Sequence, residues 1–271
     1  MRNWISKSYI AIVMTFLYAP IVVMMVFSFN DSKSRSYWAG FSLRWYEKLL
    51  HNDMVMRALL ITLIVAFVAA IFATILGTAA AIGIYGMKKR QKAVVMNLTY
   101  LPVVNPEIVM GVSLMLLFVL CHVKLGLFTL IIAHITFNLP YVILSVLPKL
   151  RQMDYHIYEA ALDLGCTPLQ GFLKVMLPEI MPGIVTGFLM AITFSLDDFN
   201  ISYFVSGDMS QTLPVYIYSM TRRRISPEVN ALSTIIFLIV LAVLIIVNIN
   251  DARREKELKR REGKFHEEMS Y

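Results

Sequence analysis

Six long apolar runs separated by polar segments of unequal length set the pattern of this chain: residues 9–29, 58–87, 93–120, 125–147, 183–205 and 229–250. Each is as long as a helix that crosses the roughly 30 Å hydrocarbon core of a bilayer, which takes about 20 residues. An even number of crossings predicts both termini on one side. The first run follows Arg2 and Lys7, as a secretory signal does. It is too long for a signal h-region and lacks a small-x-small cleavage pattern, so it reads as an uncleaved first span.

The polar breaks predict shorter elements. Between residues 30 and 57, Ser42 is a candidate N-cap for LRWYEKLL, a helix lying at the membrane surface with Trp38 and Trp45 at headgroup level. The break at 207–228 carries LPVYIYSM, a second interfacial helix, and ends in Ser226-Pro227-Glu228, a start signal for the last span. Residues 251–271 mix both charge signs densely and read as a solvated tail.

The longest break, 148–182, contains EAALDLGCTPLQGFLKVMLP at 159–178. It predicts two short helices meeting at Gly165, where a residue without a Cβ allows a sharp change of direction. Ala160, Ala161 and Leu164 share one face of the first helix, small enough for another protein to approach closely. Thr167 and Pro168 are N-cap and first residue of the second helix, and Pro178 and Pro182 are expected to end it.

Composition agrees with the pattern. Hydrophobic residues are 58% of the 271, and the mean hydropathy is +0.66, more apolar surface than a soluble core of this size needs. The expected class is an all-α integral membrane protein with six transmembrane helices, a single membrane domain over 1–271. The net charge of +7 could suggest nucleic acid. The basic residues instead flank the apolar runs. With the N-terminus inside, sixteen Lys and Arg fall on inner segments and nine on outer ones, so positive-inside topology explains the charge and predicts cytoplasmic termini. The outer cluster Arg222, Arg223 and Arg224 is the main exception: a docking patch for an acidic partner or an exposed turn. Cys121 and Cys166 are expected on opposite faces, where they cannot pair.

No phosphate loop, no metal-spaced Cys or His cluster and no nucleophile motif occurs in the sequence. Any ATP must be hydrolysed by another polypeptide. The out-of-place residues are acids within apolar runs: Asp197 and Asp198 in the fifth, Glu107 in the third, all about 20 Å from the inner face at 1.5 Å rise per residue. A carboxylate at the centre of a span costs about 2.5–3.5 kcal/mol, so each should face a cavity or a partner. Pro102 and Pro106 are expected to break the third helix and free carbonyl acceptors beside Glu107. With no basic residue expected in that layer, the acids suit a cation, or else pair with basic residues of a second subunit. Ser195 and Asn200 are weaker candidates. Trp45 is either a cation-stacking residue or an interfacial anchor, and His134 and Asn138, one turn apart, should satisfy each other or neighbouring backbone.

Glu159-Ala160-Ala161, three residues, Gly165, nine residues, Val175, one residue, Leu177-Pro178 is very similar to the EAA loop of ABC-importer permease subunits, whose consensus has Ile at the place of Val175. SFNDSK after the first run, FSLRWYEKLL, FSLDDF and SPEVNALST extend the resemblance over nearly the whole chain, to the permeases of spermidine/putrescine importers and most closely to the second permease of such systems. The resemblance implies the type I, MetI-like six-helix fold in the cell (plasma or inner) membrane. It also implies a heterodimer with a homologous first permease, two copies of a cytoplasmic ATPase that binds the ATP and Mg, and an extracytoplasmic polyamine-binding protein. Glu159, Ala160, Ala161, Gly165, Leu177 and Pro178 would belong to the loop that docks on the ATPase. Two rival expectations are a permease of this architecture for another solute and an ion-coupled secondary transporter.

Overall fold

The computed structural model describes residues 2–32, 37–223 and 227–239 together with 241, 242 and 245, and the backbone alone at 2–5, 155 and 223. Among these residues the architecture is helical, and the single β-type contact is an isolated bridge between Asn30 and Phe41. Arg224, Ser226 and the tail 251–271 lie outside the described residues.

In chain order the helices are α1 (Arg2–Ser28), α2 (Arg44–Leu50), α3 (Asp53–Tyr85), α4 (Lys89–Val104), α5 (Glu107–Leu120), α6 (Leu127–Gln152), α7 (Tyr155–Asp163), α8 (Pro168–Gly171), a π-turn (Phe172–Met176), α9 (Leu177–Asp197), α10 (Asn200–Val205), α11 (Leu213–Arg223) and α12 (Pro227–Ile239). Four stretches are individually long and apolar enough to span: Ser6–Ser28, α3, α6 and the continuous Pro168–Asp197. The helices α4 and α5 qualify only together and meet at 104°. The third span is therefore sharply broken before Glu107, as its prolines predict. Its break is at Asn105-Pro106, where Pro106 caps α5; Pro102 stays inside α4, so one proline makes the break and not two. The helix α12 begins the sixth expected span, whose remaining positions are only partly described.

The described residues fall into two compact units. In Asp53–Ser219, α3, α6 and α9 pack on one another. Without a hydrophobic drive between helices in lipid, close backbone approach through small side chains supplies the dispersion contact. Ala66, Ala69, Ala70, Ala73 and Ala81 of α3 are accordingly sealed off, and Gly183 and Gly187 of α9 face α6. One apolar cluster runs along Ile84, Val146, Leu150 and Ile180, and a second joins Leu114 of α5 and Ile201 of α10 to Leu130 and Phe137 of α6.

In the other unit, Asn30 organises the turn after α1. Its Oδ1 accepts from the Ser32 and Ala39 amides, its Nδ2 donates to the Tyr37 carbonyl, and its own carbonyl accepts the Trp45 indole N–H at 2.7 Å. Trp45 is 2% exposed and carries the Arg44 guanidinium 4.6 Å from its ring centroid. It is therefore buried with an occupied ring face, where a headgroup-level position was expected; Trp38 is exposed. Ser42 Oγ accepts from the Arg44 amide, but the residue at the N-cap of α2 is Leu43. Lys48 of α2 forms an ion pair with the buried Glu228 of α12.

Candidate functional site

The loop after α6 folds as two helices around a turn. Asp154 caps α7 by accepting from the His156 amide at 3.0 Å. Gly165 closes the helix at φ +91, a conformation that L side chains rarely adopt. Thr167 and Gln170 then form a reciprocal capping box on α8, with Pro168 at its first turn. A Cβ at Gly171 would come 3.0 Å from the Tyr158 ring, so α7 and α8 are folded tightly together.

The second helix of the loop does not stop at Pro178 or Pro182 as expected. It runs on through the π-turn into α9, giving 30 continuous residues. The Leu177 amide donates to the Phe172 carbonyl, five residues back. That wider turn immediately before Pro178 relieves the clash a proline ring makes with the carbonyl four residues behind it. The loop is thus joined rigidly to a span. Its outer surface is apolar and open: Ile157 is 58% exposed, Leu164 87% and Leu169 67%, with Ala160 exposed beside them. Glu159 is also exposed, and its carboxylate lies 3.4 Å from His156 Nδ1.

The acids lie where the fifth apolar run breaks. A single helix over 183–205 was expected; α9 instead ends at Asp197, Asp198 turns extended, and α10 starts at Asn200. Asp198 is the reason, because its carboxylate caps α10, Oδ1 accepting from the Ile201 amide at 3.2 Å and Oδ2 from the Ser202 amide at 2.7 Å. The same Oδ2 is 3.6 Å from His134 Nε2, with both side chains buried. His134 Nε2 also meets Ser202 Oγ at 3.1 Å, and Asn138 donates to Ser195 Oγ at 2.7 Å. His134 and Asn138 therefore bind across to α10 and α9 and not to each other, and the layer of acids does contain a basic side chain, His134.

Asp197 and Glu107 are different. Both are exposed, and no Lys or Arg among the described residues pairs with either. Asn200 donates to Glu107 Oε2 at 2.9 Å, which brings the start of α5 against the α9–α10 break. Glu107 and Asp197 are thus exposed acceptors, Asn200 is a half-buried donor to Glu107, and Asp198 and Ser195 are buried. Trp45 belongs to the other compact unit. The cross-helix bonding of His134 was missed in the sequence, although an Asp three and four residues before backbone amides is a cap signal even within an apolar run.

Residues 73–256 match the family described as binding-protein-dependent transport system inner membrane component. The chain is 38% identical over 245 residues to the Haemophilus influenzae spermidine/putrescine transport system permease protein PotC, covering 90% of this chain and 95% of that protein. It is 43% identical over 251 residues to the Escherichia coli putrescine transport system permease protein PotI, covering 90% and 89%. Its fold is similar to a chain of a bacterial ABC transporter importing alginate, with TM-score 0.70, 13% identity and coverage of 92% and 95%. It is also similar to a chain of the MetNI methionine ABC transporter, with TM-score 0.59, 21% identity and coverage of 74% and 94%. With its apolar helices, loop and broken fifth span, this multi-pass membrane protein belongs to the inner-membrane permease family of binding-protein-dependent transport systems, among the polyamine permeases.

Proposed function

We propose that the chain is one of two permease subunits of an ATP-driven importer, and that it passes spermidine or putrescine inward by alternating access. The observation that carries this reading is the pair of open carboxylates at a broken helix: Glu107, which accepts from Asn200, and Asp197, three residues before Asn200 in the chain. Broken helices at membrane depth collect ligand-binding groups because their freed polar atoms need partners. A polycation would satisfy both carboxylates, whereas an anionic solute would be repelled. A few acceptors spread along a path also let the cation leave, as transport requires. Ser195 and Asp198 support the path by holding backbone in place, and Trp45 does the same for the turn after α1 in its own unit.

In this reading both termini are cytoplasmic, the chain pairs with a homologous permease as a heterodimer, and two copies of an ATPase hold the ATP and Mg. Glu159, Ala160, Ala161 and Gly165 dock on the ATPase, and Leu177 and Pro178 carry its movement into α9. A polyamine-binding protein delivers substrate from outside, and no nucleic acid takes part. Membership of an ABC-importer family leaves the ion-coupled secondary transporter without support.

The test is uptake of labelled spermidine and putrescine by cells lacking their own polyamine uptake and carrying the whole operon. The double change Glu107→Gln, Asp197→Asn is expected to lower uptake about a hundredfold at an unchanged amount of membrane protein. A hydrogen bond to a charged group contributes about 1.5 kcal/mol, and each 1.4 kcal/mol is tenfold. Normal uptake by the double variant would take the acids out of the path, and native cells importing neither polyamine would assign the permease to another solute.

A further inference from the structure

The helix α6 reaches the α9–α10 break through one face. His134 and Asn138 lie four residues apart and are both fully buried. Each bonds to a different side of the break: His134 to Ser202 of α10, with its Nε2 also 3.6 Å from the Asp198 carboxylate, and Asn138 to Ser195, near the end of α9. Each also leaves an atom with no partner among the described residues, Nδ1 of His134 and Oδ1 of Asn138. A polar side chain sealed within a membrane helix bundle costs stability unless its bonds are made, and an apolar pair of the same size would fill this space without that cost.

We propose that His134, seconded by Asn138, is a positioning residue for substrate passage. It fixes the direction in which the broken fifth span presents Asp197 and Asn200, without touching substrate itself. The geometry explains why a fixed break is needed. Asp198 is the residue at which the chain leaves α9, and its carboxylate is already committed to two α10 amides. The two sides of the break are tied to a third element, α6, by the His134–Ser202 bond on the α10 side and the Asn138–Ser195 bond on the α9 side. The other side of α10 is held by α5: a Cβ at Gly111 would meet Asn200 O and Ile201 Cα at 3.1 Å, so α5 and α10 touch backbone to backbone. Glu107 enters the same assembly through Asn200. A shift of α10 away from His134 would therefore move Asp197, Asn200 and Glu107 relative to one another and change the spacing of acceptors that a polyamine reads. Spermidine and putrescine differ in length and in number of amines, so acceptor spacing acts on selectivity as well as rate.

This inference rests on the polyamine reading above, and the experiment separates the two. In cells carrying the whole operon, His134→Leu, His134→Gln and Ser202→Ala are compared with the native chain for spermidine uptake, putrescine uptake, membrane level and co-purified ATPase. Each is also made with Tyr203→Cys, an exposed position on α10, and the maleimide labelling rate is measured. His134→Leu is expected to lower uptake about tenfold, because small misplacements of binding groups have large kinetic effects. It should also change the ratio of spermidine to putrescine uptake and shift the labelling rate of the introduced thiol at least threefold (of the order that a lost buried hydrogen bond permits), with membrane level and ATPase unchanged. His134→Gln, which keeps a hydrogen-bonding group toward Ser202, should restore most of the uptake and the native ratio. Native uptake, ratio and labelling in His134→Leu would overturn the proposal. Ser202→Ala, which removes the bond to His134, should shift selectivity and labelling in the same sense; loss from the membrane in His134→Leu together with native selectivity and labelling in Ser202→Ala would also overturn the proposal, since His134 would then be packing alone. If native cells import neither polyamine, the substrate reading fails, while a shifted labelling rate would still establish His134 as the residue that places α10.

Discussion

A Glu159→Lys variant is expected to reach the membrane at the native level and to import no polyamine, because it no longer retains the ATPase. Within this chain the change is mild. Glu159 is an exposed side chain on α7 that lies 3.4 Å from His156 Nδ1, and exposed pairs of that kind contribute about 0–1 kcal/mol. Substitutions at such positions usually alter stability by about 0.5 kcal/mol or less. If α7 docks on an ATPase as proposed, the contact is another matter. Glu159 is on α7, the helix that also presents Ile157, Ala160 and, at its end, Leu164, exposed apolar side chains that have no cover among the described residues. A charge reversed inside a desolvated contact costs several kcal/mol, which is about a hundredfold or more in affinity. Purifying the complex in mild detergent and measuring ATPase per permease checks this. Native ATPase content with native uptake would mean that the contact lies elsewhere on the loop.

Gly183→Val should strongly destabilise the membrane bundle. A valine in a helix normally costs little against glycine and often stabilises, because glycine is about 1 kcal/mol worse than alanine in a helix interior. Here the sign reverses. A Cβ at Gly183 would stand 2.8 Å from the Ser145 carbonyl oxygen and 3.2 Å from the Val146 Cα. Those are backbone atoms of α6, so no side-chain rotation makes room and α9 must move as a whole. Overpacking costs about 1–3 kcal/mol, and this contact lies in the middle of the α6–α9 interface, where Ile180 and Val146 are fully buried. The control is Gly83→Ala on α3, where a Cβ would meet nothing within 4 Å. Thermal unfolding in detergent should show a clear loss for Gly183→Val and none for Gly83→Ala. Equal melting temperatures would mean that α9 can slide on α6 without penalty.

Much of the architecture was legible before any coordinates. Run length alone marked the membrane helices, since the bilayer sets the number of apolar residues a crossing needs. The loop at 159–178 was legible in detail, because Gly165, Thr167 and Pro168 act through their own backbone preferences and their nearest neighbours. The π-turn that carries the chain past Pro178 was not. Proline predicts a stop from local sterics, and only the wider turn and the packing of Met176 and Ile180 into the bundle reverse that. Trp45 was misplaced for a similar reason: an indole at a membrane boundary suggests an anchor, but the carbonyl of Asn30 that takes its N–H is a contact fifteen residues away.

By itself the sequence determined the membrane class, the apolar runs, the loop and the presence of three acids where acids are costly, because these follow from composition, helical period and residue-level preferences. The tertiary structure alone decided what each acid does. Asp197 and Asp198 are adjacent and chemically identical, yet one is exposed and the other is buried, bonded to two amides and close to a histidine 64 positions earlier in the chain. That division depends on which face of α9 meets α6, and long-range contact of that kind is set by packing between helices, which local sequence does not encode.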